Sequence, residues 1–181
     1  MELNDFASTA TTLELEKEYD DLAEPVLLPL DWYEVEVFKA EVKKNKAWRE
    51  ANDEAGHELR AEDIDGAGNN FVLILKTVNC APEFLGRTFF KYLPMPNPSD
   101  KDKFDMNGRP MVDTKLNNLY TWAQGFNAGI SGSNITWKTK LKAKVFVHQE
   151  KDQSGILSNV LKFEEPMPIS DINNLNDTGL I

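Results

Sequence analysis

Lys140 to Val147 reads KLKAKVFV, an unbroken alternation with Lys140, Lys142 and Lys144 on one side and Leu141, Ala143, Val145 and Val147 on the other. A repeat of two fits an extended strand with one face on a core, and it recurs along much of this chain. Trp32 to Val42 (WYEVEVFKAEV) places Tyr33, Val35 and Val37 on one face, then changes phase so that Ala40 and Val42 continue the apolar row. Such a change predicts a bulge near Phe38 and Lys39. Asn70 to Val78 (NFVLILKTV) is apolar on both faces, as a buried central strand would be. Gly86 to Leu93 (GRTFFKYL) follows the turn signal Ala81-Pro82-Glu83 and is stopped by Pro94-Met95-Pro96-Asn97-Pro98. A last strand is expected near Leu157 to Phe163, after the polar loop Gln149 to Gly155.

One segment has the other period. Leu116, Leu119, Tyr120, Ala123 and Phe126 recur at helical spacing, with Asp113 as the expected N-cap and Gly129 as the expected stop. The resulting order, β-β-β-α-β-β, predicts a mainly β fold. The specific expectation is a five-stranded, OB-like (oligonucleotide/oligosaccharide-binding) Greek-key barrel with one packed helix between the third and fourth strands, although other small five-stranded barrels share that order.

The chain has 181 residues, 41% of them hydrophobic, which suits one domain with extensions. The expected division is an acidic N-terminal extension over 1–24, the barrel over 25–166 with a long inserted loop at 43–69, and an acidic flexible tail over 167–181. The net charge of -10 is concentrated at the ends: Met1 to Glu24 carries -7 and Glu164 to Ile181 carries -4, leaving Pro25 to Phe163 at +1. A near-neutral body with basic loops between acidic ends suits contact with an anionic polymer; acidic ends that only aid solubility are the plainer alternative. No apolar run approaches the roughly 18 residues that span a bilayer, and Met1 to Ala10 lacks the pattern of a secretion signal, so an intracellular protein is expected. The single Cys80 excludes an internal disulfide and a cysteine-based zinc cluster.

The segments VLLPLDWYEVEVFKAEVKKNK from Val26, LILKTVNCAPEFLGRTFFKYL, NNLYTWAQGF and KLKAKVFVHQEKDQSGILSNVLKFEEP together resemble a family of small phage-encoded proteins of formally unknown function. Those proteins look like single-stranded DNA-binding barrels of phage replication and recombination cassettes. The resemblance covers Val26 to Pro166, about three quarters of the chain, with Asp31 where the family often has Gly and with Lys43 to Asn69 as an insertion. It implies single-stranded DNA as partner and the cytoplasm of an infected host cell as location.

Sequence-tolerant binding of a single strand needs cations that follow phosphates and aromatic faces on which bases stack. KKNKAWR, at the start of the loop between the first two strands, offers Lys43, Lys44, Lys46, Trp48 and Arg49. In an OB barrel that loop forms one wall of the binding groove. The alternative is a solvated, partly helical excursion whose following acids, Glu50 to Asp65, pair with the lysines. The third strand offers Arg87, Phe89 and Lys91 on one face and Thr88, Phe90 and Tyr92 on the other. Were Phe90 and Tyr92 core, Arg87, Phe89 and Lys91 would form a cation-aromatic-cation row; were the faces reversed, Tyr92 would be the remaining stacking residue. Lys140, Lys142 and Lys144 extend a basic stripe along the fourth strand, although alternating Lys opposite an apolar row is more often a solvated face. Trp32, Trp122 and Trp137 are expected to pack in the core or at its rim.

Catalytic patterns are missing from the sequence. His57 and His148 are far apart and lack paired metal-ligand spacing, Gly129 to Ser133 lacks the lysine of a phosphate loop, and Asp63-Ile64-Asp65-Gly66 lacks the later ligands of a calcium loop. A non-enzymatic protein without metal or cofactor is therefore expected. The leading expectation is nonspecific single-stranded DNA binding in phage replication or recombination, with phage replication or recombination proteins recruited through the acidic C-terminal tail. A phage structural or assembly protein of the virion, using the barrel as an interaction module, is the alternative, and an adaptor that imitates DNA is a third. The exposed strand edges of such a barrel leave a homodimer open.

Overall fold

A strand of fourteen residues, β1 (Asp31–Lys44), organises the molecule because it is long enough to pair with different neighbours along its two halves. In the computed structural model, which describes residues 26–60, 63–151, 155–162 and 164–169, its first half pairs with β6 (Lys142–Lys151) and its second with β2 (Asn69–Thr77). β2 in turn pairs with β3 (Thr88–Pro94), and β6 with β7 (Leu157–Val160). A two-residue strand, β8 (Met167–Pro168), joins the free side of β6 opposite Ala143 and Lys144. The result is a six-stranded antiparallel sheet in the order β3-β2-β1-β6-β7, with β8 off that path.

Register explains which residues become core. Val37 faces Leu75 and Lys39 faces Ile74, so Phe38 is the extra residue of a bulge at the place where the alternation changes phase. The bulge keeps both halves of β1 in step: Tyr33, Val35 and Val37 before it, and Ala40 after it, lie on the inner face. Leu73 and Leu75 of β2, and Ala143, Val145 and Val147 of β6, continue that face. Helix α2 (Met111–Gly125) lays Leu119 and Trp122 onto it, and Phe126 follows fully buried. Gly125 is required where α2 meets the chain's return, because a Cβ there would sit 2.4 Å from the Pro166 carbonyl oxygen.

The mainly β character and the helix between the third and fourth long strands agree with the expectation, but the sheet is not a closed five-stranded barrel. Four antiparallel steps separate β3 from β7, so these edge strands run in the same direction. They face one another across a groove without a ladder between them among the described residues. With only four residues, β7 offers little edge to pair. The insertion at 43–69 contains helix α1 (Lys46–Ala55), and a short hairpin, β4 (Gly129–Ser131) with β5 (Asn134–Thr136), follows α2. Two boundaries move. Pro110, not Asp113, occupies the N-cap position of α2, leaving Asp113 in the first turn; the helix ends at Gly125, with Asn127 in the left-handed region at φ 52°, and Gly129 opens β4. Met167 and Pro168, expected to begin the tail, belong to the sheet, whereas the acidic extension over 1–24 and the rest of the tail from Ser170 lie outside the described residues.

Candidate nucleic-acid interface

Asn45 sets the position of the first candidate cluster. Its side chain accepts the Trp48 N–H at 3.1 Å and the Gly68 N–H at 3.2 Å, and donates to the Gly66 carbonyl at 2.6 Å. One residue thus caps α1 and fastens it to the far end of the insertion. The cap fixes Trp48 on the first turn, where the Lys44 ammonium lies 5.0 Å from the ring centroid. Across the sheet, Lys43 is opposite Asn70 and Val72 is opposite Tyr92, which carries β3 to the same place. Lys43, Lys44, Trp48, Arg49, Asn70 and Tyr92 line one concavity of about 410 Å³.

Five of the nine candidate side chains therefore converge. Lys46 lies outside that lining and pairs with Glu50 at 3.3 Å along α1. The Glu41 carboxylate binds Lys39 at 2.6 Å and Lys43 at 2.7 Å, and the hydrogen bonds from these two ammonium groups hold its carboxyl below the usual range. A phosphate reaching Lys43 competes with Glu41.

The remaining candidates are placed otherwise, and the row Arg87-Phe89-Lys91 is corrected. Phe89 is only 5% exposed and belongs to the core, because the inner positions of β3 are the odd-numbered ones. Lys91 shares that face: its ammonium lies 4.7 Å from the Trp122 ring centroid and donates to the Lys162 carbonyl at 2.8 Å, and burial pushes its pKa below the ordinary lysine value. Neither is free to meet a strand of nucleic acid in this arrangement. Arg87 sits at the other end of β3, its guanidinium reaching the Glu83 carbonyl at 3.5 Å, away from the concavity.

The outer face of the sheet exposes two aromatics beyond the nine candidates, Phe38 and Phe90. Phe90, opposite Ile74, is 53% exposed, and the bulged Phe38 is 52% exposed with the Lys76 ammonium 3.7 Å from its ring centroid. Tyr92, at 54%, connects this patch to the concavity. The bulge carried the signal for Phe38, since an extra residue leaves the inner row; the apolar alternation on both faces of β3 gave no preference for Phe90. On the adjoining part of this face, Lys142 pairs with Glu34 at 3.5 Å, so the basic stripe of β6 is partly neutralised. His148 is fastened to Glu164 at 2.5 Å rather than solitary.

Among the described residues no group of three or more His, Cys, Asp or Glu is placed to hold a metal ion, and no helix is long and apolar enough to cross a membrane. No family model, curated protein or solved structure matches the chain.

Proposed function

We propose that the outer face of β1, β2 and β3, together with α1, binds single-stranded DNA without strong sequence preference. The observation that carries this proposal is the convergence of Lys43, Lys44 and Arg49 with Trp48 and Tyr92 in one concavity, continued by Phe38 and Phe90. Exposed aromatic rings accept any base by stacking, each contributing roughly 1–3 kcal/mol, and neighbouring cations track the phosphates. Binding is an equilibrium coating and requires no bond chemistry.

The chain path supports the same reading. A long first strand paired with both the second and the fourth major strands, a helix after the third, and, among the described residues, no ladder between the third and the last fit an OB barrel left partly open. In that fold the outer face of the second and third strands and the loop after the first strand contact oligonucleotides. Placement in phage replication or recombination, in an infected cell's cytoplasm, follows from the family resemblance of the sequence. Recruitment of phage replication or recombination proteins by the acidic tail is part of the same proposal.

Titration of isotope-labelled protein with oligo(dT) at low salt tests it. Amide shifts are expected to concentrate at Phe38, Lys43 to Arg49, Ile74, Phe90 and Tyr92. Shifts confined to α2 and the β4–β5 hairpin, or none, would contradict it.

A further inference from the structure

The Asn45 cap can fix Trp48 only as firmly as Asn45 itself is held. Beyond the helix, its side chain is bonded to the Gly66 carbonyl and the Gly68 N–H at the far end of the insertion. No residue of α1 is buried, so packing does little to set the helix in place. The anchoring of Gly66 to Gly68 therefore decides where Trp48 stands. Backbone bonds secure the later part of that stretch: the Asn45 N–H reaches the Gly68 carbonyl at 2.9 Å, and the Met95 N–H reaches the Asn69 carbonyl at 2.9 Å. Gly66 is held from another direction, by the loop that leads to α2. Its N–H donates to Ser99 Oγ at 3.3 Å, and the Ser99 hydroxyl donates to Asn97 Oδ1 at 2.8 Å. Asn97 opens a short 3-10 turn, Pro98–Asp100, in which the Asp100 carboxylate accepts the Asn97 N–H at 2.8 Å. Asp100 is 4% exposed, and the Lys115 ammonium on α2 donates to its two oxygens at 2.9 and 2.7 Å.

We propose that Ser99 and the Asp100–Lys115 pair are positioning residues for Trp48, holding it at the concavity through Gly66 and Asn45. The path is unbroken: Gly66 is bonded on its carbonyl to Asn45 and on its N–H to Ser99, so a displacement on one side is felt on the other. The two segments also touch, since a Cβ on Gly68 would sit 2.9 Å from the Asn97 Cβ. The anchor is firm. A carboxylate removed from water depends on its cation, and a shift of the Pro98–Asp100 turn relative to α2 would leave a buried charge unpaired. Lys103 and Asp65 bridge the same segments at 3.0 Å, but that pair is exposed and contributes little. The helix that packs on the inner face of the sheet thereby sets the position of a ring at the interface. This inference rests on the reading of the concavity as a single-strand site, yet the place of Trp48 is measurable without DNA.

Ser99→Ala cuts the path without emptying the core or stranding a charge. In that variant the Trp48 and Gly68 amides, both bonded to Asn45, should exchange about 2- to 30-fold faster, and oligo(dT) affinity should fall over the same range. Lys115→Met, which keeps the stem and removes the cation, should move both readouts in the same direction. In an Asn45→Ala background Ser99→Ala should change affinity no further, because both act on one connection. Val147→Ala, in the core of β6, controls for stability alone: it should lower the melting temperature and leave Trp48 exchange and affinity as they are well below the melt. Unchanged Trp48 and Gly68 exchange in Ser99→Ala would overturn the proposal. So would full additivity with Asn45→Ala, or faster exchange with unaltered affinity in a parent that binds. Should the parent fail to bind oligo(dT), the single-strand reading falls, and the exchange at Trp48 still decides whether Ser99 positions it.

Discussion

Trp48 and Tyr92 reach the concavity from different elements, one capped on α1 and the other carried by β3, and neither is fully buried. Trp48→Ala and Tyr92→Ala are each expected to weaken oligo(dT) binding by roughly 1–3 kcal/mol with little change in melting temperature, measured by fluorescence titration and thermal melts. Phe89→Ala should do the reverse, lowering stability by about 3–5 kcal/mol because it empties part of the core. Lys91 adds a pH dependence. Its pKa is depressed in the folded chain, so the unfolded chain binds more protons between that depressed value and the ordinary 10.5, and stability contributed at this site rises with pH across that window. Denaturant melts of parent and Lys91→Met should therefore show the parent gaining on the variant as pH rises towards 10.5; a constant difference would contradict a desolvated ammonium. At this scale the sequence named both concavity aromatics, but β3 alternates Arg87, Phe89, Lys91 with Thr88, Phe90, Tyr92, and two apolar faces of similar size do not reveal which one α2 covers.

Elements were legible where period and length were strong. β6 and the bulged β1 follow directly from their alternation, while β4, β5 and β8, with two or three residues each, are too short to show a period. Helix α1 carries an apolar row of Ala47, Trp48, Ala51 and Ala55 at helical spacing, but apart from Trp48 these side chains are small and none is buried, so the helix depends on its cap. Asn45→Ala should lower stability by about 1 kcal/mol and weaken oligo(dT) binding through loss of the Trp48 position, whereas Asn45→Asp, which retains the acceptor for the cap, should restore part of the binding. At the other end of the sheet, Gly125→Ala forces a methyl group against Pro166 and is expected to cost about 1–3 kcal/mol while releasing β8 from β6. Faster hydrogen exchange at Met167 in that variant, with α2 otherwise intact, would register the release.

The whole molecule joins a near-neutral body to acidic ends, and its expected closed barrel is a coiled six-stranded sheet with a seam. Alternation alone predicts strands and their inner faces; whether the first and last edges meet depends on strand lengths such as the four residues of β7, which no local pattern encodes. Function depends on how the cations of the body present themselves together. Lys43 and Lys39 share Glu41, and Lys46 has Glu50, so a polyanion must replace these local partners before it gains from the cluster. The measurement that tests the central claim most directly is the affinity for oligo(dT) as a function of salt concentration, for the parent and for Lys43→Ala, Lys44→Ala and Arg49→Ala. Single-strand binding at this face predicts a steep loss of affinity with salt, at a slope of about -0.7 per phosphate contact, reduced by roughly that amount in each variant. No binding at low salt, or a slope that the three substitutions leave unchanged, would contradict it.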